Sequence, residues 1–352
     1  MLFTYHYPTG HALEVLNEHL FQFLTSIITV SPRAAFNLNN YLNKDFKIIV
    51  ERSPILKEKL QNFFFTFRAL DKAKKDLFYQ AILKSQNIED FFSDITIMCD
   101  EIMTPNINNI IGNNSFEILM SHLFKVTLKG LGIHSHYKII YDSMPHKVCP
   151  FCGVEKMHKS FQEDYDHLSA KKHYPTLAIN MKNLAPMCHT CNSKNKGETD
   201  VLHNQQGVRR LFTYPYTKFT DIDIDFSDCV IPYSDIDNIE GNWNIKILPD
   251  NAMTRDWNEI FKIKKRYRED YLEANYEDWL EDFLDGLVIS NIIIRDENDV
   301  IYQLDLWSQT LSHRKFYNFN FIKAPLFQYL ANCGLNALYT SIIIRYNQKI
   351  SA

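Results

Sequence analysis

Leu13, Leu16, Leu20, Leu24 and Ile27 recur at intervals of three and four, the spacing that lays one apolar stripe along an α-helix. The same period runs through 55–84, 89–103 and 115–129, and Gly130 reads as a helix stop. In HSHYKIIYDSMP the pattern shifts to short extended character, which places a boundary at 135–146. No long apolar helix face runs through DYDHLSAKKHYPTLAINMKNLAPMCHTCNSKNKG, residues 164–197. Strict alternation then appears at Ile222, Ile224 and Phe226, and again at Trp243, Ile245 and Ile247, and predicts two half-buried strands joined by a loop, PYSDIDNIEGN. Trp257, Ile260, Phe261, Tyr267, Tyr271, Trp279 and Phe283 mark a long amphipathic helix over 255–285. A closing helix over 325–343 is interrupted near Gly334, and 287–307 fits strand or helix equally.

These elements predict an α+β chain with a helical N-terminal domain over 1–135, a short central domain over 136–203 and a mixed strand and helix domain over 204–352. At 352 residues, 45% of them hydrophobic, such units can bury sizeable cores. The first residues lack a basic leader and no apolar run is long enough for a membrane span, so a cytoplasmic location is expected. The formal net charge of -4 argues against a polybasic binder. Only 147–203 is net positive, with 8 Lys and Arg against 6 Asp and Glu.

The central segment has its own organising chemistry. Cys149 and Cys152 in CPFCG, and Cys188 and Cys191 in CHTC, form two C-x-x-C pairs separated by 35 residues. Four thiolates at that spacing are the usual ligands of a structural zinc ion. A segment of this size with few large aliphatics is expected to draw its folding free energy from the metal, on the order of 10 kcal/mol.

Asp166-His167 sits midway between the knuckles, Asn183 shortly before the second, and Asn192 directly after its last cysteine. Hydrolysis of a phosphodiester at one hard metal ion needs oxygen ligands, a base with a pKa near neutral and cations for phosphate. Carboxylate, imidazole, carboxamide and the lysines of this segment are those groups. The ordered set of C-x-x-C, Asp166-His167, His173-Tyr174-Pro175, Asn183, C-x-x-C-Asn192 and Lys196-Gly197 closely resembles the HNH, or His-Me finger, endonucleases of the four-cysteine type that includes endonuclease VII. The resemblance covers roughly 147–200. It implies a zinc-stabilised ββα-metal finger, with His167 the general base and Asp166 and Asn192 the ligands of one Mg2+ or Mn2+ ion. Asn183 would bond the loop that presents the base. The implied activity is nucleic-acid hydrolysis, giving a 5' phosphate and a 3' hydroxyl, with DNA the expected substrate and RNA left open. The layout is also similar to nuclease effectors of anti-phage systems, some of which work with a partner ATPase.

Pro186 suits the first turn of the finger helix, and on that helix Asn192 and Lys196 share a face. Lys171, Lys172, Lys194 and Lys196 are candidate phosphate contacts. One difficulty is visible, since neighbours on a regular strand face opposite sides and Asp166 and His167 can share a site only if the backbone twists.

Blander readings compete. The basic run KIKKRYR at 262–268 reads as the wet face of a helix, and Asp221, Asp223 and Asp225 as the solvent side of a strand. Cys99, Cys229 and Cys333 read as small buried hydrophobes. His134, His136 and His146 could approach the site but match no family position. The whole segment could also be a non-catalytic zinc module that docks nucleic acid or protein, or a rubredoxin-like iron site.

Overall fold

A computed structural model of the protein describes residues 2–160, 164–217, 219–232 and 241–351. The fold is α+β, with helices dominant and only two antiparallel two-stranded sheets among the described residues. Contacts divide it into two compact units. Phe3–Lys147 and Met157–Phe219 belong to the first, Val148–Lys156 and Thr220–Ala352 to the second.

In the first unit the stripe from Leu16 to Ile27 is the buried face of helix Glu14–Ile27, as its period predicts. Helix Pro54–Arg68 starts where Ser53 Oγ accepts from the Leu56 amide and Pro54 fills a first-turn position that needs no donor. Together with helices Lys72–Ser85 and Ser115–His122 it buries Phe63, Phe67, Phe78 and Phe116, whose contacting rings lie 5.1 to 5.8 Å apart. Tilted and edge-on aromatic pairs of this kind add to plain area burial. Helix Ser115–His122 continues into a wider π-helical segment, Leu123–Leu128.

One local expectation changes here. HSHYKIIYDSMP is not extended; its first ten residues lie in helix Ile133–Ser143, with Ile133, His136, Tyr137 and Ile140 buried at helix spacing. Amphiphilic His and Tyr on both faces masked that period. The preceding helix stops at Gly130 as expected, and the turn into Ile133 passes through Gly132, whose φ of 92° is backbone that disfavours any side chain.

The segment 164–197 forms a hairpin followed by a helical turn. Strand β1 (Asp164–His167) pairs antiparallel with β2 (Leu184–Met187), Asp166 opposite Ala185 and His167 opposite Leu184. Pro186 is in β2, opposite Tyr165, and not in the helix that follows. Both strands of a two-stranded sheet are edges, so a proline can turn its missing donor outward, and its carbonyl accepts the Tyr5 hydroxyl. The helix, Thr190–Lys196, is a π-type turn closed by the Gly197 amide on Asn192 O at 2.6 Å.

In the second unit, β3 (Asp223–Asp225) pairs with β4 (Lys246–Leu248). Ile222, Ile224, Phe226, Trp243, Ile245 and Ile247 are all buried, as the alternation predicts. Most of the loop expected at 232–242 lies outside the described residues. The long helix expected over 255–285 is broken at Lys262 (φ 54°) into Ala252–Phe261 and Ile263–Arg266, which continues through a π-type segment into Glu273–Ile289. The undecided stretch 287–307 runs out of that helix through a turn into helix Glu297–Ser312. Helices Asn320–Asn332 and Asn336–Ser351 flank Gly334 as expected. The CPFCG turn is held within this unit. Gly153 donates to Cys149 O at 2.7 Å with φ 71°, while Trp257 Nε1 and the Tyr267 hydroxyl donate to Phe151 O and Cys152 O at 2.8 and 2.6 Å. Among the described residues no helix is long and apolar enough to cross a membrane.

Candidate functional site

Cys149, Cys152, Cys188 and Cys191 are buried and their ligand atoms lie within 4.8 Å of one another. A zinc tetrathiolate with sulfur–metal bonds of about 2.3 Å has sulfur–sulfur edges of about 3.8 Å, so the cluster could hold such a structural metal ion. The Cys191 amide donates to Cys188 Sγ at 3.4 Å, an interaction that favours the thiolate. It is the only group of His, Cys, Asp or Glu with metal-binding geometry among the described residues. Asp221, Asp223 and Asp225 accordingly do not converge. Asp221 and Asp225 face Lys315 and Lys246 at 3.8 and 3.9 Å.

His167, 1% exposed, is held at both ring nitrogens. Nε2 donates to Ala178 O at 2.7 Å, and Nδ1 faces Asp166 Oδ1 at 2.8 Å. A carbonyl can only accept, so the Nε2 hydrogen is committed and Nδ1 is the atom left to gain or lose a proton. The two neighbours on β1 do meet in one site. Burial raises the Asp166 carboxyl, but the hydrogen bond and charge of His167, aided by its amide and by Lys196, outweigh this and hold it well below the usual carboxylate range.

Asn183 is completely buried at the foot of the loop that carries Ala178. Its Oδ1 accepts from the Ser169 amide at 2.9 Å, and its Nδ2 donates to Ser169 O and Leu177 O at 3.0 and 3.2 Å. One carboxamide thereby fixes both ends of the loop whose carbonyl orients the imidazole.

Asn192 Oδ1 is buried with no protein partner, an uncommon condition for an acceptor. It lines two adjoining cavities together with Asp166. The smaller, about 280 Å³, also takes in His167, Lys171, Lys172 and Lys196. The larger, about 420 Å³, is lined by Phe124, Lys125, Lys129, His134 and Lys171. An anionic and an orphaned neutral oxygen on one cavity are donors suited to a hard cation.

The structure sorts the predicted lysines. Lys171 lines both cavities, Lys172 pairs with Glu198 at 2.5 Å, and Lys196 is buried with Nζ on Gly197 O at 3.1 Å. Lys194 is exposed and lines neither cavity. Of the three histidines before the first knuckle, only His134 lines either of these two cavities. His136 is buried against the Tyr165 hydroxyl, its pKa pushed down to about 3 by burial, and His146 packs edge-on against Phe3. In KIKKRYR, Lys265 and Arg268 pair with Glu269 and Arg266 is buried near Glu155.

Sequence reasoning missed two features. Lys125 and Lys129 belong to a helical period and carry no motif, so only the tertiary fold reveals them beside Asp166. Cys99 is also no plain hydrophobe: Sγ lies 3.7 Å from His203 Nε2, and His203 Nδ1 meets the Tyr174 hydroxyl at 2.8 Å and Asp200 Oδ2 at 3.3 Å. Tyr174 belongs to the same loop as Ala178, and its hydroxyl donates to Asp200.

No family model, curated protein or solved structure matches the chain.

Proposed function

We propose that the protein is a metal-dependent nuclease that hydrolyses phosphodiester bonds by a His-Me finger mechanism. The observation that carries this reading is His167, locked through Nε2 on Ala178 O so that Nδ1 faces Asp166, on a cavity into which Asn192 presents an orphaned oxygen. Asp166 and Asn192 would hold one Mg2+ or Mn2+ ion. When bound, the ion would act as a Lewis acid on a phosphate oxygen and offset the charge on the departing 3' oxygen.

The protein's own groups supply the rest. With the Asp166 carboxylate turned from the ring to the metal ion, neutral His167 Nδ1 would take a proton from water as the water oxygen forms its bond to phosphorus and the bond from phosphorus to the 3' oxygen breaks. The leaving oxygen acquires a proton from solvent water, so the products are a 5' phosphate and a 3' hydroxyl. Ala178 O favours the ring that has gained the proton, because it accepts from Nε2–H more strongly as the imidazole becomes cationic. Lys171 and Lys196 place positive charge beside the reacting phosphate.

The test is cleavage of plasmid and oligonucleotide substrates in Mg2+, in Mn2+ and in chelator. His167→Ala should lower the rate by about 10² to 10⁴, the usual worth of general base catalysis, when measured at a temperature where circular dichroism shows the variant fully folded. Equal cutting by parent and variant, or cutting that survives chelation, would sink the mechanism. Nucleic-acid binding without any cutting by the parent would point to the non-catalytic zinc module.

A further inference from the structure

We propose that Lys125, Lys129 and Lys171 form a phosphate-binding wall that seats the nucleic-acid backbone next to the scissile bond, an inference that rests on the nuclease reading. The three line the larger cavity together with Asp166 and Asn192, and two of them come from a helix outside the finger motif.

Their arrangement follows from the π-helical segment Leu123–Leu128. Widening the helix by one residue per turn brings positions five apart into contact, and π-type turns concentrate at functional sites. Lys129 Nζ accordingly lies 5.6 Å from the Phe124 ring centroid. Lys171 Nζ, from the loop after β1, lies 5.2 Å from the same ring. Phe124 also packs on the His167 ring at 4.2 Å between centroids. One buried aromatic therefore sets two ammonium groups, from separate parts of the chain, relative to the general base. Lys125 stands four residues before Lys129 and lines the same cavity.

None of the three makes an ion pair among the described residues, whereas Lys172, close by, is tied to Glu198. Like charges one turn apart weaken a helix. A bound polyanion reverses that penalty, and a phosphodiester backbone presents charge at regular intervals. Lysine offers a point charge and no base-reading fork, so the wall recognises backbone and not sequence. DNA and RNA share this chemistry.

The experiment measures binding of short labelled DNA and RNA duplexes to full-length His167→Ala protein across a salt series. Adding Lys125→Gln and Lys129→Gln should reduce the slope of log affinity against log salt by about 2 and weaken binding at least tenfold at physiological salt. Lys125→Arg with Lys129→Arg should retain the slope, which separates charge from folding. Lys72→Gln with Lys74→Gln, on an exposed helix face, should leave it unaltered. A larger loss for one duplex identifies the nucleic acid that uses the wall. An unchanged slope and affinity in the 125/129 Gln pair overturns the inference, even if the parent cuts normally. If the parent fails to cut while the slope still falls, the wall stands and the nuclease reading fails.

Discussion

The first unit contains two interiors held by different chemistry. Around Phe63, Phe67, Phe78 and Phe116 the helices meet mainly through aromatic rings, with Lys75 Nζ, 5.8 Å from the Phe67 ring centroid, donating to Val30 O at their margin. Between residues 167 and 203 the buried set includes His167, Ser169, Thr176, Asn180, Asn183, Asn192, Lys196 and His203. Apolar burial is non-directional and tolerates small shifts of any one group. A polar interior costs free energy unless each donor and acceptor finds its partner, but when satisfied it places atoms to within tenths of an ångström. The aromatic interior supplies stability, and the polar one fixes the orientation of the His167 ring through Ala178 O and Asp166. Ser169 Oγ, Thr176 Oγ1 and Asn192 Oδ1 are buried oxygens of this stretch without a protein partner, and of the three only Asn192 lines the two cavities.

The largest test of this contrast is removal of any metal ion that the four cysteines hold. Structural zinc is worth on the order of 10 kcal/mol, more than the whole net stability of many domains. Extended dialysis against chelator should abolish hydrogen-exchange protection over 164–197 while helix Pro54–Arg68 stays protected. Equal loss in both regions would break the comparison, because the aromatic interior would then depend on the metal as well.

The opposite perturbation is Phe63→Ala, which leaves a cavity among four rings and should cost about 3 to 5 kcal/mol in denaturant unfolding. Cleavage per folded molecule should stay within a few-fold, since the ring contacts of Phe63 among the described residues are with Phe23, Phe67, Phe78 and Phe116. A large fall in turnover at temperatures where the variant is folded would show that the two interiors are coupled.

Asn183→Ala perturbs the polar interior at its most connected point. It orphans the buried Ser169 amide and removes two further bonds, at a cost of about 2 to 3 kcal/mol. Its effect on cleavage should exceed its effect on stability, about 10²-fold, because the loop that carries Ala178 O loses its anchor and the imidazole its aim. A variant destabilised to this extent yet fully active would remove Asn183 from the positioning of the base.

These residues also show what a sequence discloses and what it withholds. The two knuckles were legible from their spacing, Asp166-His167, Asn183 and Asn192 through the family resemblance that the knuckles frame, and the structure brings Asp166, His167 and Asn192 onto one cavity. The strands β3 and β4 were legible because period-two alternation has few other causes. Helix Ile133–Ser143 was not, since Tyr137 is buried and Lys138 exposed while His, which is not diagnostic of a face, is buried at 136 and exposed at 134. Pro186 misled because a first-turn helix position and an edge strand suit proline equally. Lys125, Lys129 and Cys99 could not be found at all: Cys99 meets His203 across 104 residues, and no local pattern encodes a contact of that span.

The smallest predicted effect is a pH dependence confined to the polar interior. His203 is buried against Cys99, Tyr174 and Asp200, and the hydrogen bonds of Asp200 and Cys99 outweigh desolvation and push its pKa up to about 9. A histidine that binds its proton more tightly when folded than when unfolded contributes stability that is complete below about pH 6.5 and disappears as pH rises through about 9. The contribution is on the order of 2 kcal/mol, so thermal melts from pH 6 to beyond 9 should fall by several degrees more in the parent than in His203→Gln. Phe63→Ala should lower every melt by a constant amount and keep the parent's slope. Parallel pH curves for parent and His203→Gln would mean that the Asp200–His203 pair does not anchor Tyr174, and that the loop bearing Ala178 is held by Asn183 alone.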